Sequence, residues 1–511
     1  MGYSDVGAFG GEIRTPHIDT LAESGLRLTS FYVAPTCSPT RSMLMSGTDN
    51  HLAGLGAMKE ALTENQKGQP GYEGHINQRV VTLATLLRDA GYHTYMSGKW
   101  HLGAEIEHDP SKRGFEKAYT LLQGGASHFD DEWMLYPNYT PVYRENGERV
   151  HVPRGFYSSE FYTDKLIEYI DAADDEKPFF AYLAFTSPHD PLHLPDEWLD
   201  KYAGRYNAGY EALRSERLKR MKKLGIVPEA TQLSHRLPMI PEWDSLSRDQ
   251  KRLQAKRMEL HAGMIENVDH HLGRLFDHLK RKGVYDDTLI LFFSDNGANP
   301  TDPHMYPGSS REWVERNSDN RFENLGRRGS RVAIGAAWAL ASDTPLRHFK
   351  AVHSEGGIRV PFIIAGPGVA RTGEIHPAFT HVMDIAPTLL DLVGASHPKK
   401  HKGREVVPMQ GRSMLTFLEG KAGVVRDESE AVGWELFGRR AIRQGRWKAA
   451  WLDSPLGSND WQLFDVVADV SEYNDLADSN PEKLRELIAL WEEYSDSVGV
   501  VLPLAAPSLS D

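Results

Sequence analysis

Residues 37–47, Cys-Ser-Pro-Thr-Arg-Ser-Met-Leu-Met-Ser-Gly, place the only cysteine of the chain four residues before an arginine. That spacing is one helical turn if a helix starts at Cys37, with Ser42–Met45 continuing it and Gly47 ending it. A thiol at a helix N-terminus has a lowered pKa and sits in a field that favours anions. The stretch therefore suits a reactive group held beside the Arg41 cation and a negatively charged substrate. A plainer reading stays open here, because a free cysteine is commonly a small buried hydrophobe.

Three further stretches carry chemistry. Lys99 and His101 follow His93–Ser97, which reads as a strand. In an extended continuation they point to the same side, a cation and an imidazole suited to an oxyanion and a proton transfer. Phe179–Phe185 is a continuous apolar run, the pattern of a strand buried on both faces, and it ends in Thr-Ser-Pro-His189-Asp-Pro. His189 thus lies where open α/β sheets place ligands, with His193 as a rival two residues on. Leu289–Ser294 reads as another buried strand and ends in Asp295-Asn296-Gly297. A carboxylate and an amide carbonyl there offer hard oxygens to a divalent cation, although Asp-Asn-Gly is also an ordinary turn.

The elements that must position these groups alternate between buried strands and amphipathic helices, which predicts an α/β fold. Helices are expected over Ile18–Gly25, Val81–Ala90, Phe161–Ala173 and Leu253–Leu279, the last with apolar residues at Leu260, Met264, Val268, Leu272, Leu275 and Leu279. Leu26–Val33 reads as the strand that delivers the chain to Cys37. Residues 59–79 read as a polar surface loop, and 103–160 as aromatic-rich loops that shape a pocket mouth. His270 and His271 read as an exposed or capping pair. From about residue 405 the texture changes to short antiparallel strands, Trp434–Ile442, Trp447–Trp451 and Trp461–Val466, closed by a helix over Pro481–Val498.

Length and composition bound the function. At 511 residues the chain exceeds one ordinary core. Its 40% hydrophobic and 25% charged residues are ordinary for a globular protein. A net charge of -13 argues against a nucleic-acid binder. One cysteine excludes an intrachain disulfide, and no apolar run is long enough for a spanning helix. With no signal peptide visible, a cytoplasmic location without membrane attachment is expected.

Cys37, Pro39 and Arg41, with Leu44, Ser46 and Gly47, resemble the sulfatase signature, and Gly91–Leu102 resembles the second signature of that family. Gly2–Asp5, Thr15–Gly25, the Gly356-Gly357-Ile-Arg359-Val-Pro361 segment and residues 461–477 are similar as well, closest to bacterial arylsulfatases. The resemblance implies an alkaline-phosphatase-like α/β sandwich, a large mixed sheet flanked by helices with a small C-terminal antiparallel sheet and closing helix. It implies a catalytic domain over 1–404 and a C-terminal subdomain over 405–511. It implies hydrolysis of a small sulfate ester by formylglycine, made from Cys37 by a formylglycine-generating enzyme. Arg41, Lys99, His101, His189 and Lys350 are the implied catalytic residues. Asp295, Asn296 and an oxygen at position 37 would hold one divalent cation, calcium or alternatively magnesium. One hydroxyl of the hydrated aldehyde would attack sulfur near Asp295. His189 with Lys350 would help the leaving group depart, and His101 would take the proton that releases sulfate.

The family usually carries a buried strand ending in two aspartates just before the Gly2–Asp5 segment, and Met1 stands where that strand would end. The chain is therefore expected to be truncated at its front, with Asp5 a doubtful substitute, weak cation binding and lower stability than a version extended upstream. Two other readings stay open: a phosphate or phosphonate ester hydrolase of the same superfamily, and an inactive ligand-binding relative.

Overall fold

The apolar and alternating runs form three sheets of four or five strands, besides one two-stranded hairpin, in the computed structural model, which describes residues 1–137, 139–173 and 175–504. The first sheet contains β1 (Leu26–Tyr32), β7 (Ile290–Phe293), β8 (Arg359–Ala365) and β9 (Ile375–His381), in the order β7-β8-β1-β9. Only the β1–β9 pair is parallel. The second contains β2 (His93–Lys99), β3 (Lys117–Leu121), β4 (Tyr143–Glu145), β5 (Glu148–Val150) and β6 (Phe179–Ala184), in the order β5-β4-β3-β2-β6. Here β2 pairs in parallel with both β3 and β6. The expected large mixed sheet is thus present as two hydrogen-bonded halves. β8, Arg-Val-Pro-Phe-Ile-Ile-Ala, is buried at every residue, as a continuous apolar run requires when both faces are covered.

β6 and β7 end their respective sheets, and an apolar cavity of 710 Å³ lies between them. Both were expected to be buried on both faces. Instead five of the six β6 residues and all four β7 residues are half-buried, because each presents an unpaired edge and part of a face to this cavity. Met1 lies at its rim, its carbonyl accepting a 3.0 Å hydrogen bond from Ser294 Oγ.

The long helix Arg248–Lys282 closes over this region. Ser247 and Gln250 form a reciprocal cap at its start, Lys280–Lys282 fill its last turn, and Gly283 ends it at φ 74°. Its predicted apolar row is buried, and Leu272, Leu275 and Leu279 face the cavity. Burial of each such leucine stabilises by roughly 1.5–3 kcal/mol, so the packed face holds the helix down. Its two adjacent histidines differ: His270 is exposed, whereas His271 is buried against Arg274. The other helices include Pro16–Ser24, Leu83–Asp89 and Ser158–Asp171, each within a few residues of its expected span.

β10 (Lys400–His401) and β11 (Arg404–Glu405) form a short hairpin. The third sheet is antiparallel, β12 (Ala431–Leu436), β13 (Arg439–Gln444), β14 (Trp447–Trp451) and β15 (Trp461–Asp465), with the helix Pro481–Val498 packed on it. The span expected as one strand, Trp434–Ile442, is two, because Phe437 and Gly438 turn the chain with φ of 61° and 81°. Residues 505–511, which belong to the expected C-terminal subdomain, lie outside the described residues.

Buried charges tie this sheet to the rest. Lys448 Nζ sits 2.8 Å from Glu355 and 3.0 Å from Glu472, all three buried. Trp434 Nε1 donates to the Val33 carbonyl at 3.0 Å. His51, fully buried, lies 2.8 Å from Asp49 and 3.4 Å from Glu435. Burial alone would lower its pKa, but the two carboxylates outweigh that and raise it to about 9 from 6.5. Because the folded-state pKa is raised, His51 contributes stability that is fully present below pH 6.5 and is lost as pH rises through 9. The shift corresponds to about 3 kcal/mol. We expect His51→Gln to flatten the fall in melting temperature between about pH 7 and 9, measured by calorimetry across pH; an unchanged alkaline slope would show that the titration lies elsewhere.

Candidate active site

Cys37 is the first residue of the helix Cys37–Ser46, which is buried along its whole length. Thr36 before it is extended, and Gly47 ends the helix at φ 65° with its N–H on the Met43 carbonyl. Thr40 Oγ1 anchors the first turn by accepting from the Ala34 N–H at 3.0 Å. Burial raises the Cys37 pKa, but the Lys350 and Lys99 charges and the His101 imidazole outweigh burial and the Asp295 charge, holding the thiol well below its usual range.

Arg41, one turn along, does not point freely at a ligand. Its Nε and Nη2 reach Asp295 Oδ2 at 3.0 and 2.9 Å, and its Nη1 donates to the Lys99 carbonyl and, at 3.3 Å, to Tyr182 Oη. Its place in this geometry is to hold Asp295 and the end of β2. Lys99, the last residue of β2, is buried; burial lowers its pKa, against the raising effect of Cys37.

The chain is not extended beyond Lys99, as the sequence pattern suggested. β2 stops there, and His101 takes a left-handed φ of 58°. This turn still brings His101 to Cys37. His101 Nε2 lies 3.1 Å from Glu60 Oε1, and Nδ1 is buried, leaving it to face the sulfur. Burial would raise the Glu60 pKa, but His101 and Lys99 hold it down at about 2, so Glu60 is a carboxylate. Glu60 was invisible in sequence: it belongs to a stretch expected to be plain surface loop, which in fact also buries Gln66, Tyr72 and Ile76.

His189 follows β6 as expected. Its Nδ1 is 3.0 Å from the Asp190 carbonyl and from Asp190 Oδ1, and its Nε2 is 3.1 Å from Lys350 Nζ. An ammonium has no lone pair, so Nε2 accepts from Lys350 and Nδ1 carries the ring proton. His128 supports this residue from behind, with Nε2 3.0 Å from the His189 carbonyl; burial lowers the His128 pKa to about 4, so it is neutral and donates. The rival His193 is buried on the Ser330 carbonyl at 2.9 Å, and burial lowers its pKa to about 3. It is a neutral packing residue.

Lys350 is aimed by two left-handed neighbours, His348 at φ 60° and Ala351 at φ 71°. The Ala351 N–H donates to the Pro35 carbonyl at 2.8 Å, which pins this loop two residues before Cys37. Of the neighbouring residues, Glu355 belongs to the Lys448 ion network and His353 is wholly buried.

Asp295 and Asn296 follow β7. Asn296 donates through Nδ2 to the Gly297 carbonyl, and its buried Oδ1 has no partner. Gly297 is required: a Cβ there would lie 1.8 Å from the Gly356 carbonyl oxygen. The buried orphan oxygen of Asn296 beside the Asp295 carboxylate fits a hard cation in kind. In number the set is short, since no group of three or more His, Cys, Asp or Glu gathers to hold a metal among the described residues. Asp5 does not add to it, being bound to Arg217 at 2.8 Å and His261 at 3.1 Å.

The structure thus brings Cys37, Arg41, Lys99, His101, His189, Asp295, Asn296 and Lys350 to one place, lined in part by the cavity between β6 and β7. Residues that the sequence did not single out are Glu60, Tyr182, Asp190 and Tyr306; Tyr136 was expected only as one of the aromatics of the pocket-mouth loops over 103–160. Tyr136 Oη lies 3.3 Å from Glu60, and Tyr306 Oη 2.9 Å from both Asp190 oxygens. Adjacency to His189 was the one available signal for Asp190.

Residues 1–395 match the family model described as Sulfatase. An uncharacterized sulfatase of Schizosaccharomyces pombe is 43% identical over 98% of this chain and 92% of its own. An arylsulfatase of Klebsiella aerogenes is 41% identical over 82% of this chain and 90% of its own. Among solved structures, Ps i-CgsB aligns with a TM-score of 0.68 at 25% identity, over 97% of this chain and 90% of its own. A sulfatase of Pseudoalteromonas sp. aligns with a TM-score of 0.61 at 21% identity, over 98% of this chain and 88% of its own. The fold is the alkaline-phosphatase-like α/β architecture. With a family model spanning most of its length and close relatives spanning nearly all of it, the chain belongs to the sulfatase family.

Proposed function

We propose that this protein is an arylsulfatase that hydrolyses a sulfate ester to a phenol or alcohol and inorganic sulfate. The observation that carries the reading is the convergence of Lys99, Lys350, His101 and His189 on Cys37 at a buried helix start. The Klebsiella relative is in keeping with it.

The reading includes conversion of Cys37 to formylglycine by a formylglycine-generating enzyme. The hydrated aldehyde would supply a hydroxyl nucleophile that can later be released by collapse to the aldehyde, which a thiol cannot do. A divalent cation, calcium or magnesium, held by Asp295, Asn296 and an oxygen at position 37, would add positive field at the sulfate oxygens.

The residues of the chain do the rest. Lys99 and Lys350 hold the sulfate oxygens and screen their charge, while Arg41 keeps Asp295 and the Lys99 strand end in place. His189 Nε2 accepts from Lys350 and aims its ammonium, which would give one of its protons to the departing ester oxygen and be left as the neutral amine. Glu60 fixes His101 through Nε2, which leaves Nδ1 to take the proton from position 37 as sulfate leaves.

We expect Cys37→Ala to abolish hydrolysis of 4-nitrophenyl sulfate with an unchanged melting temperature, and the mass of the Cys37 peptide to show the aldehyde in the parent protein. Full activity of Cys37→Ala would end the proposal. Faster turnover of 4-nitrophenyl phosphate than of the sulfate would favour a phosphate ester hydrolase, and binding of either ester without turnover, with calcium or magnesium supplied, a ligand-binding relative.

The proton roles make a separate prediction. His189→Asn, His101→Asn and Lys350→Met should each slow single-turnover hydrolysis by roughly 10²–10⁴-fold. A His189→Asn protein within a factor of two of the parent would remove His189 from the leaving-group side.

A further inference from the structure

A closed circuit of side chains surrounds the space in front of Cys37. On one side His101 faces the sulfur and is held by Glu60, which accepts from Tyr136 Oη at 3.3 Å. On the other side the charge of Lys350 acts on Cys37, and Lys350 meets His189, which is held by Asp190, which accepts from Tyr306 Oη at 2.9 Å. The circuit closes where Tyr136 meets Tyr306, ring centroids 5.4 Å apart and planes at 83°. The two tyrosines are therefore the members of the circuit farthest along it from Cys37.

Their chemistry decides what they present. Burial and the nearby carboxylates raise both phenol pKa values well above the usual, so both hydroxyls keep their protons and are committed to Glu60 and Asp190. What the two leave unengaged is ring carbon, in the edge-to-face geometry that aromatic groups favour. Tyr139, 69% exposed and 6.2 Å from Tyr136, continues the aromatic surface outward.

A sulfate ester with its sulfur toward Cys37 and the lysines, and its bridging oxygen toward His189, must send its alcohol portion away from Cys37. We propose that Tyr136 and Tyr306 form the wall that receives this portion and selects a flat aromatic ring over a saturated one. The proposal rests on the arylsulfatase reading and names the residues that would make it selective.

The test is the ratio of kcat/KM for phenyl sulfate to that for cyclohexyl sulfate, in the full-length mature protein. The ratio cancels differences in the fraction of active enzyme, and its change between variants cancels the intrinsic reactivity of the two esters. Tyr136→Leu and Tyr306→Leu should each lower the ratio by roughly 3- to 10-fold, the scale of one aromatic contact. Tyr136→Phe and Tyr306→Phe should lower both rates, through a carboxylate that loses one of its donors, while keeping the ratio. An unchanged ratio in both leucine variants overturns the wall. Should the leucine variants not fold, product inhibition of the unaltered protein decides: phenol should inhibit at least 3-fold more tightly than cyclohexanol, and equal inhibition overturns the wall. A parent protein that hydrolyses no phenyl sulfate overturns the arylsulfatase reading and the wall together, whereas an active parent with insensitive variants overturns the wall alone.

Discussion

Arg41 reaches from the helix behind Cys37 across the boundary between the two half-sheets. Cys37 follows β1 and Asp295 follows β7, both in the four-stranded half, whereas Lys99 ends β2 and Tyr182 lies on β6, both in the five-stranded half. One guanidinium bonds to Asp295 on its own side and to the Lys99 carbonyl and Tyr182 hydroxyl on the other. Only arginine has enough donors in a fixed plane for that set of acceptors. Loss of one partner from such a buried pair typically costs about 3–5 kcal/mol, because the other charge is left uncompensated. At this boundary the same loss would also let Lys99 and Cys37 drift apart.

The charges assembled there are unequal. Arg41, Lys99 and Lys350 lie around Cys37 beside Asp295; burial first, and then the other two cations, depress the Lys99 pKa, while the two lysines outweigh burial and depress that of the Cys37 thiol. Lys448 shows the opposite arrangement, one buried cation between Glu355 and Glu472, and it anchors the Glu355–Ile358 turn on which Gly297 packs. The C-terminal sheet therefore supports Asp295 and Asn296 at a distance, through glycine contacts too close to yield.

Much of this was legible in the sequence where residue type and position agree locally. The helix from Cys37 to Gly47 needed only a plausible start and a glycine stop. His189 and Asp295 needed only apolar runs long enough to be strands. What failed were readings that depend on the partner of a segment. β6 and β7 read as doubly buried because their residues are apolar, yet burial is decided by what lies alongside, and each has an unpaired edge. His101 looked extended because Lys-x-His alternates, whereas its φ is positive. Glu60 carried no signal at all: it lies in a polar loop, and its role comes from the distant His101 against which that loop folds. Tyr136 and Tyr306 stand 170 positions apart, so nothing in either neighbourhood indicates that their rings touch.

The place of the site follows from the seam. Among the described residues no strand pairing joins β6 to β7, so backbone ladders do not fix the distance between the halves there. Helix packing and the side chains at the site fix it instead. Contacts that span the seam near Cys37 include Arg41 to the Lys99 carbonyl and the Tyr182 hydroxyl, Lys350 to His189, and His101 to the sulfur of Cys37 itself. Each joins a group from one half to a group from the other. A change that widened the cavity between β6 and β7 would therefore draw Lys350 and His189 apart and move Lys99 away from Cys37 together.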